Sequence, residues 1–263
     1  MTSLHKSSSS SIFENHGDDY TQYGIYTVKD SAEFRFPNNV ITLKRASKDK
    51  FLYNRTNHGT KIEKLLAIRT PDLEMEVVPI LPLYVPSYKT DYMFMRLSKT
   101  IFVSRNSSTE VFVSIPIEIG LFFTGNEIRE YFDVFACDPR GSKYALYGQP
   151  DQGMICKFAN VTPHAIENEA APYVEGRLKI VIYNELDIGI SLGKIVFPIR
   201  DHEVYYNQSA ASYDDLKIVI KEKLGVRIAE VIQQDSTGPN GWYSSPITIK
   251  KTDLKFLMEM GFD

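Results

Sequence analysis

Between Glu110 and Phe158 apolar and polar residues alternate in short runs, VFVSIP, IEIGLFF, YFDVFA, KYALYG and MICKF, with TGNE, DPRGS and QPDQG standing between the later ones. Period-two runs rich in Val, Ile, Phe and Tyr, bounded by Gly, Pro, Asn and Asp, predict β-strands joined by tight turns. The same pattern predicts earlier strands over Tyr23–Val28, Val40–Arg45, Phe51–Arg55, Glu63–Arg69 and Leu73–Val78, with NNV, KDK and TNHGT as turns. Later strands are predicted over Tyr92–Val103, Gly176–Asn184, Ile188–Ile199 and Val226–Ile232. In GRLKIVIYN, Leu178, Ile180 and Ile182 share one face and Lys179, Val181 and Tyr183 the other, as in a half-buried strand.

Two segments read ambiguously. In Asp214–Leu224 the residues Leu216, Ile218 and Ile220 alternate as in a strand, while Ser212 and Gly225 fit helix caps; the β-branched content favours the strand. Leu254–Met260 reads as a last strand or a short helix. VVPILPLYVP, residues 77–86, carries Pro79, Pro82 and Pro86 and so reads as an extended connector docked on a core. TPHAIENEAAP, residues 162–172, reads as a linker or long crossover. No 30-residue βαβ period is present, which removes Rossmann and TIM-barrel readings. The expected architecture is an all-β, antiparallel β-sandwich of immunoglobulin-like form with an additional N-terminal β unit. Its parts are a disordered Ser-rich tail over 1–19, the N-terminal unit over 20–86 and the sandwich over 87–263.

Composition narrows the function. A chain of 263 residues buries roughly 75% of its unfolded surface, and 43% hydrophobic with 24% charged residues is ordinary for a globular protein. The net charge is −3, and no basic run exceeds Lys250-Lys251. Nucleic acid and anionic membrane surfaces both call for clustered cations, so neither is an expected partner. No stretch has the apolar length of a membrane span or the apolar region of a secretory signal. Cys137 and Cys156 are expected as reduced thiols, with a single bridge as the alternative. Four Asn-X-Ser/Thr sequons, at Asn54, Asn106, Asn160 and Asn207, carry no reading without an export signal.

Catalytic motifs lack their contexts. Gly189-Ile190-Ser191-Leu192-Gly193 fits the nucleophile-elbow spelling, but KIVFPI after it continues as strand where that motif needs a helix. The five His residues have no HxH or HxxxH spacing, and CxxC, Walker and GxGxxG motifs are absent. No metal or cofactor is therefore expected, and His58 and His202 read as turn residues. Glu118 and Asp133 stand out because a carboxylate on an apolar strand costs several kcal/mol unless it is paired. Folding a hairpin across Asp138-Pro139-Arg140-Gly141 places Asp133 near Tyr147 and Cys137 near Lys143, and makes Lys143 or Arg129 the expected partner of the acids. The candidate interaction residues are Glu118, Asp133, Lys143, Tyr147 and Trp242.

The string Ile115-Pro116-Ile117-Glu118-Ile119-Gly120, then Asp133-Val134-Phe135, Lys143-Tyr144-Ala145-Leu146-Tyr147-Gly148 and Gly153-Met154-Ile155-Cys156, together resemble an archaeal family known only as domain of unknown function 432. Tyr23-Gly24, Ala229-Glu230 and Met258-Glu259-Met260-Gly261-Phe262 extend the resemblance over nearly the whole chain. It implies an archaeal, cytoplasmic protein with no assigned activity and no catalytic residues to carry over, and an accessory association with a small-conductance mechanosensitive channel. The leading expectation is a non-enzymatic interaction module that binds a protein partner. The alternative is a small-molecule or carbohydrate-binding sandwich that stacks ligands on Tyr131, Tyr144, Tyr147 and Trp242. A β-sandwich hydrolase with metal ligands from distant loops ranks last.

Overall fold

A computed structural model describes residues 20–57, 59–124, 130–233, 238–246 and 256–258. The chain forms β1 (Gly24–Val28), β2 (Ser31–Phe36), β3 (Asn39–Ser47), β4 (Lys50–Asn57), β5 (Thr60–Ala67) and β6 (Leu73–Ile80). Then come β7 (Tyr92–Val103), β8 (Ser107–Pro116), β9 (Glu118–Phe123), β10 (Glu130–Phe135), β11 (Lys143–Tyr147) and β12 (Met154–Val161). The remainder is β13 (Glu175–Asn184), β14 (Ile190–Pro198), β15 (Val204–Asn207), β16 (Ala210–Tyr213), β17 (Leu216–Lys223), β18 (Val226–Gln233), β19 (Tyr243–Ser244) and β20 (Phe256–Met258). The described residues include no α-helix, only a 3₁₀ turn at Ile199–Asp201. The fold is all-β and sandwich-like, as the alternation predicts.

Two hydrophobic cores organise these strands. In the first, the sheet β1-β6-β9-β10 and the sheet β2-β3-β4-β5 share Phe34, Phe36, Ile41, Leu43, Phe51, Tyr53, Met75, Val77, Ile119 and Leu121. In the second, the sheet β11-β12-β7-β14 shares a core with a larger sheet ordered β19-β15-β16-β13-β17-β18-β20, in which β13 also pairs with β8. Burial of alternate residues drives both. In β13, Leu178, Ile180 and Ile182 enter the second core while Lys179 and Val181 are half-buried on the other face. Most pairs are antiparallel, but β7 with β12 and β13 with β16 and β17 are parallel. Parallel neighbours need long crossovers, and other strands of the sandwich supply them here.

The chain crosses between the cores repeatedly, so the sheets do not divide at Pro86. β7 and β8 belong to the second core, yet β9 pairs with β6, and β10 with β9, in the first. β11 then returns to the second. The proline-rich run 77–86 is shared in the same way: Val77, Val78 and Ile80 pack in the first core, Leu81 and Leu83 in the second.

These crossings correct the hairpin expected across Asp138-Pro139-Arg140-Gly141. β10 pairs with β9 and β11 with β12, in different sheets, so Asp133 lies opposite Leu121 and Lys143 opposite Phe158. The turn chemistry is real, since Asp138 Oδ1 accepts from the Arg140 backbone N–H at 2.8 Å. The turn joins two bodies instead of two paired strands. Asp214–Leu224 resolves as strand, with Gly225 in the β17–β18 turn instead of at a helix end. Ser191 lies within β14, paired opposite Phe102. The tail 1–19, His58 and Arg129 lie outside the described residues.

Cys137 and Cys156 are buried and unbridged, and burial pushes each thiol up to about 12. Neither is expected to react with Ellman's reagent in the native protein at mildly alkaline pH, and both should react in guanidinium. Fast native labelling of either would contradict this packing.

Candidate functional site

Glu118 and Asp133 sit on adjacent strands of one sheet in opposite environments. Asp133 stands just after a β-bulge in β10. Its Oδ2 accepts from Arg55 Nε at 2.7 Å and from the Tyr53 hydroxyl, and its Oδ1 from Lys64 Nζ at 3.0 Å. These donors come from β4 and β5 because Tyr53 and Arg55 alternate inward along β4, while Lys64 is the cross-strand partner of Tyr53. Arg55 continues to Asn39 Oδ1 at 3.3 Å and lies over the Phe135 ring at 5.0 Å. Burial alone would raise the Asp133 carboxyl, but hydrogen bonds from Arg55 and Tyr53 outweigh it and hold the group below the usual carboxylate range.

Glu118, at the start of β9, is almost wholly buried at 1% exposure and faces the junction of the two cores. Its Oε2 accepts from Tyr84 N–H at 2.8 Å and its Oε1 from Val85 N–H at 3.0 Å. Lys157 of β12 reaches the same Oε1 at 3.4 Å and donates to the Val85 carbonyl at 2.5 Å. Ser142 Oγ also donates to that carbonyl, at 2.8 Å. One carboxylate from the first body and one lysine from the second thus clamp the backbone of Tyr84 and Val85 in the connector 81–91, hereafter the strap. Burial raises the Glu118 carboxyl to about 7 against the opposing pull of Lys157 and the two N–H groups. Burial also lowers the Lys157 ammonium.

The strap continues past aromatic side chains. Tyr84 packs on Tyr131 at 5.7 Å and on Tyr88 at 6.0 Å between ring centroids. The Tyr144 hydroxyl donates to Ser87 O at 3.2 Å, with Lys157 Nζ and Lys89 Nζ each 5.3 Å from its ring. Thr90 Oγ1 donates to Ile155 O at 2.6 Å. A cleft of about 90 Å³ opens beside the clamp, lined among others by Pro82, Ile117, Ala136, Lys143, Phe158 and Asn160. Small-molecule pockets run from about 300 Å³ upward. At its edge Arg140 Nε holds Asp138 at 2.9 Å and Arg140 Nη2 holds Glu175 at 3.0 Å.

Of the five candidate residues, the structure brings Glu118 and Lys143 to one cleft but does not pair them; the partner of Glu118 is Lys157. Asp133 belongs to the first body, bonded to residues of β4 and β5. Tyr147 packs against Phe94, at 6.4 Å, and Trp242 lies under the Arg177 guanidinium at 5.1 Å. The four rings considered as a stacking surface have separate neighbours. Sequence reasoning missed Lys157, Arg55 and Lys64, although Lys157 in MICKFANV carries the same signal as Glu118, a charge within an apolar strand. His202, read as a turn residue, does close the 3₁₀ turn through its N–H on Ile199 O at 3.0 Å, but it is also buried, with Nδ1 on Asp214 and its ring 5.1 Å from Phe197. Among the described residues, no group of three or more His, Cys, Asp or Glu is gathered to hold a metal, and no helix is long and apolar enough to cross a membrane.

Fold and site define an all-β protein with two cores joined through a buried acid–lysine clamp. A family model described as a protein of unknown function, DUF432, matches residues 22–259. The chain belongs to that family. No curated protein and no solved structure matches it.

Three outcomes test the site. Asp133→Ala leaves Arg55 and Lys64 facing a void and should destabilise the fold by about 3 kcal/mol or more, read as a lower Tm; an unchanged Tm would contradict the network. Glu118 has a folded value above its unfolded one, so the native state holds the extra proton between about 4.5 and about 7. Its contribution is therefore complete below about 4.5 and is lost as pH rises through about 7. Urea unfolding should register a decline of up to about 3 kcal/mol from this group over that window, and Glu118→Gln should flatten it. Lys157→Met should cost most at neutral and higher pH, where Glu118 is left charged, and less in acid. Equal costs at both would contradict the clamp.

Proposed function

We propose that the chain is a non-enzymatic interaction module that binds a protein partner on the surface around the strap. The observation that carries this reading is a group of about half-exposed apolar side chains beside the clamp: Tyr88, Tyr131, Leu146 and Ile155. Tyr88 and Tyr131 both pack on Tyr84, and Leu146 and Ile155 are cross-strand partners in β11 and β12, with Ile155 bonded to the strap through Thr90. Among the described residues β11 is an end strand of its sheet, with a backbone edge open to an incoming strand. Exposed apolar groups gathered in this way favour recognition of a protein over catalysis. The family resemblance nominates a membrane channel as the partner to test first, with the module acting from the cytoplasm.

The alternative, a small-molecule or carbohydrate site, draws support from the cleft beside Lys143. The separate placement of Tyr131, Tyr144, Tyr147 and Trp242 weighs against ring stacking as its basis. Affinity capture of tagged protein from detergent-solubilised native cells should retain a defined partner, and the Tyr131→Glu/Leu146→Glu double variant should lose it while melting normally. Retention undiminished by the double variant, or no partner at all, would defeat the proposal. A Tm rise with a small ligand would then favour the alternative.

A further inference from the structure

The second body ends in three loops on one side. β8 starts and β13 ends there, with Ser107 opposite Asn184, and β17 runs parallel to β13 with Ile220 level with Asn184. The β17–β18 hairpin therefore projects past that level by the length of Lys221–Lys223, about 10 Å at the strand rise, before it turns at Leu224-Gly225. The loops are knitted together by Asn184, only 2% exposed. Its Nδ2 reaches the carbonyls of Val103 at 3.1 Å, Ser104 at 2.9 Å and Ile188 at 2.8 Å, and its Oδ1 accepts from Leu186 N–H at 3.1 Å. Asn106 N–H to Leu186 O, at 3.0 Å, and Glu185 N–H to Ile220 O, at 2.8 Å, complete the platform.

The apex has a residue that neither folding nor solubility explains. Leu224 has φ +54° and Gly225 φ +77°, the two left-handed positions of a tight hairpin turn, where Asn-Gly is the favoured pair. A leucine there is strained and is also 96% exposed. Val226 beside it is 52% exposed, and behind it Phe102 is 66% and Ile188 41% exposed. Phe102 lies against Gly189, where an added Cβ would come within 2.5 Å of the ring. Lys223 and Arg227 flank the apex, and the five residues 223–227 contain no acid. The neighbouring loops carry Arg105 on one and Glu185 and Asp187 on the other, Glu222 stands opposite Arg227, and Lys221 is paired with Glu230 at 2.7 Å.

We propose that this end of the molecule docks on the surface of a lipid bilayer, with Leu224 and Val226 seated among the headgroups, Lys223 and Arg227 at phosphate level, and Phe102 and Ile188 following. Apolar side chains on convex tips, with cations immediately behind them, fit an interfacial layer into which apolar groups sink about 5–10 Å. A hairpin apex that projects about 10 Å past the other loops is convex and can sink to that depth before the neighbouring loop that carries Ile188 reaches the surface. The overall charge balance of this end makes apolar contact the main attraction and anionic lipid a secondary one. The thin spread of cations along the whole chain, which argues against a charge-driven membrane contact, does not bear on a local apolar apex. This surface is separate from the strap, and the inference does not depend on the strap reading.

Co-sedimentation of the full chain with vesicles of phosphatidylcholine, alone and mixed with phosphatidylglycerol, tests the proposal. The wild type should sediment with both, more with the mixture. Leu224→Asn should lower the vesicle partition coefficient about tenfold with a Tm equal to or somewhat above that of the wild type, because Asn accepts the left-handed conformation. Lys223→Ser/Arg227→Ser should remove only the preference for phosphatidylglycerol. As a second readout, Leu224→Cys can be labelled with an environment-sensitive fluorophore while Cys137 and Cys156 stay buried, and its emission should rise on vesicle addition. No sedimentation with either vesicle, sedimentation unaffected by Leu224→Asn, or a Leu224→Asn effect confined to protein association would each overturn it.

Discussion

The clamp of Glu118 and Lys157 on the backbone of Tyr84 and Val85 is the constraint on which the arrangement of the two bodies depends. Each body has a complete core of its own, and bodies of that kind meet by default through modest, polar contacts that permit relative motion. Here a carboxylate from one body and an ammonium from the other are both removed from water, at a cost of several kcal/mol per ion. The two backbone N–H groups and the Val85 carbonyl offset that cost only while the strap stays in place. Moving either body would leave a buried charge without partners. The strap in turn fixes Tyr84, Tyr88 and Lys89, so the surface beside the clamp is shaped by the same contacts that set the junction.

Comparison with Asp133 shows why Glu118 is the responsive member of the two. Asp133 receives two cations and a phenol, and its charge is secured by residues of its own body. Glu118 has one lysine, itself buried, at a longer distance of 3.4 Å. The protonation of Glu118 therefore shifts within the range where the charge of Asp133 is constant. Chemistry identical in sequence terms, an acid within an apolar strand, yields a static structural group in one case and a titrating junction in the other. Proximity of donors, which only the sheet pairing decides, makes the difference.

Strand positions were largely legible because burial on one face imposes period two, as in β13, β8 and β3. β2 was legible in principle, since Phe34 and Phe36 alternate with Glu33 and Arg35, but the charged face obscured it. β15 and β16 were not, because two four-residue strands joined at Gln208-Ser209 lack the usual turn residues. Pairing was the unreadable layer. Asp138-Pro139-Arg140-Gly141 is chemically a turn whether it joins two paired strands or two separate sheets, and local sequence cannot distinguish these. The expected partners of the acids inherited that error, while the need of Glu118 and Asp133 for partners was readable from desolvation cost alone.

The surface beside the strap and the loop end lie at opposite ends of one strand. β7 starts at Tyr92, where the strap arrives, and ends at Val103, beside Asn184 and the loop platform. Its twelve residues span about 40 Å at the strand rise. The neighbours β12 and β14 pair along much of that length, and the second core lies beneath it. Such a sheet transmits position with little compliance, because a close-packed core does not deform gradually. The surface beside the strap is therefore held at a fixed distance from the apex of Leu224. The Glu118–Lys157 clamp stands at the strap end of this ruler. Its titration bears on the stability of the junction, and the length of the ruler does not depend on it.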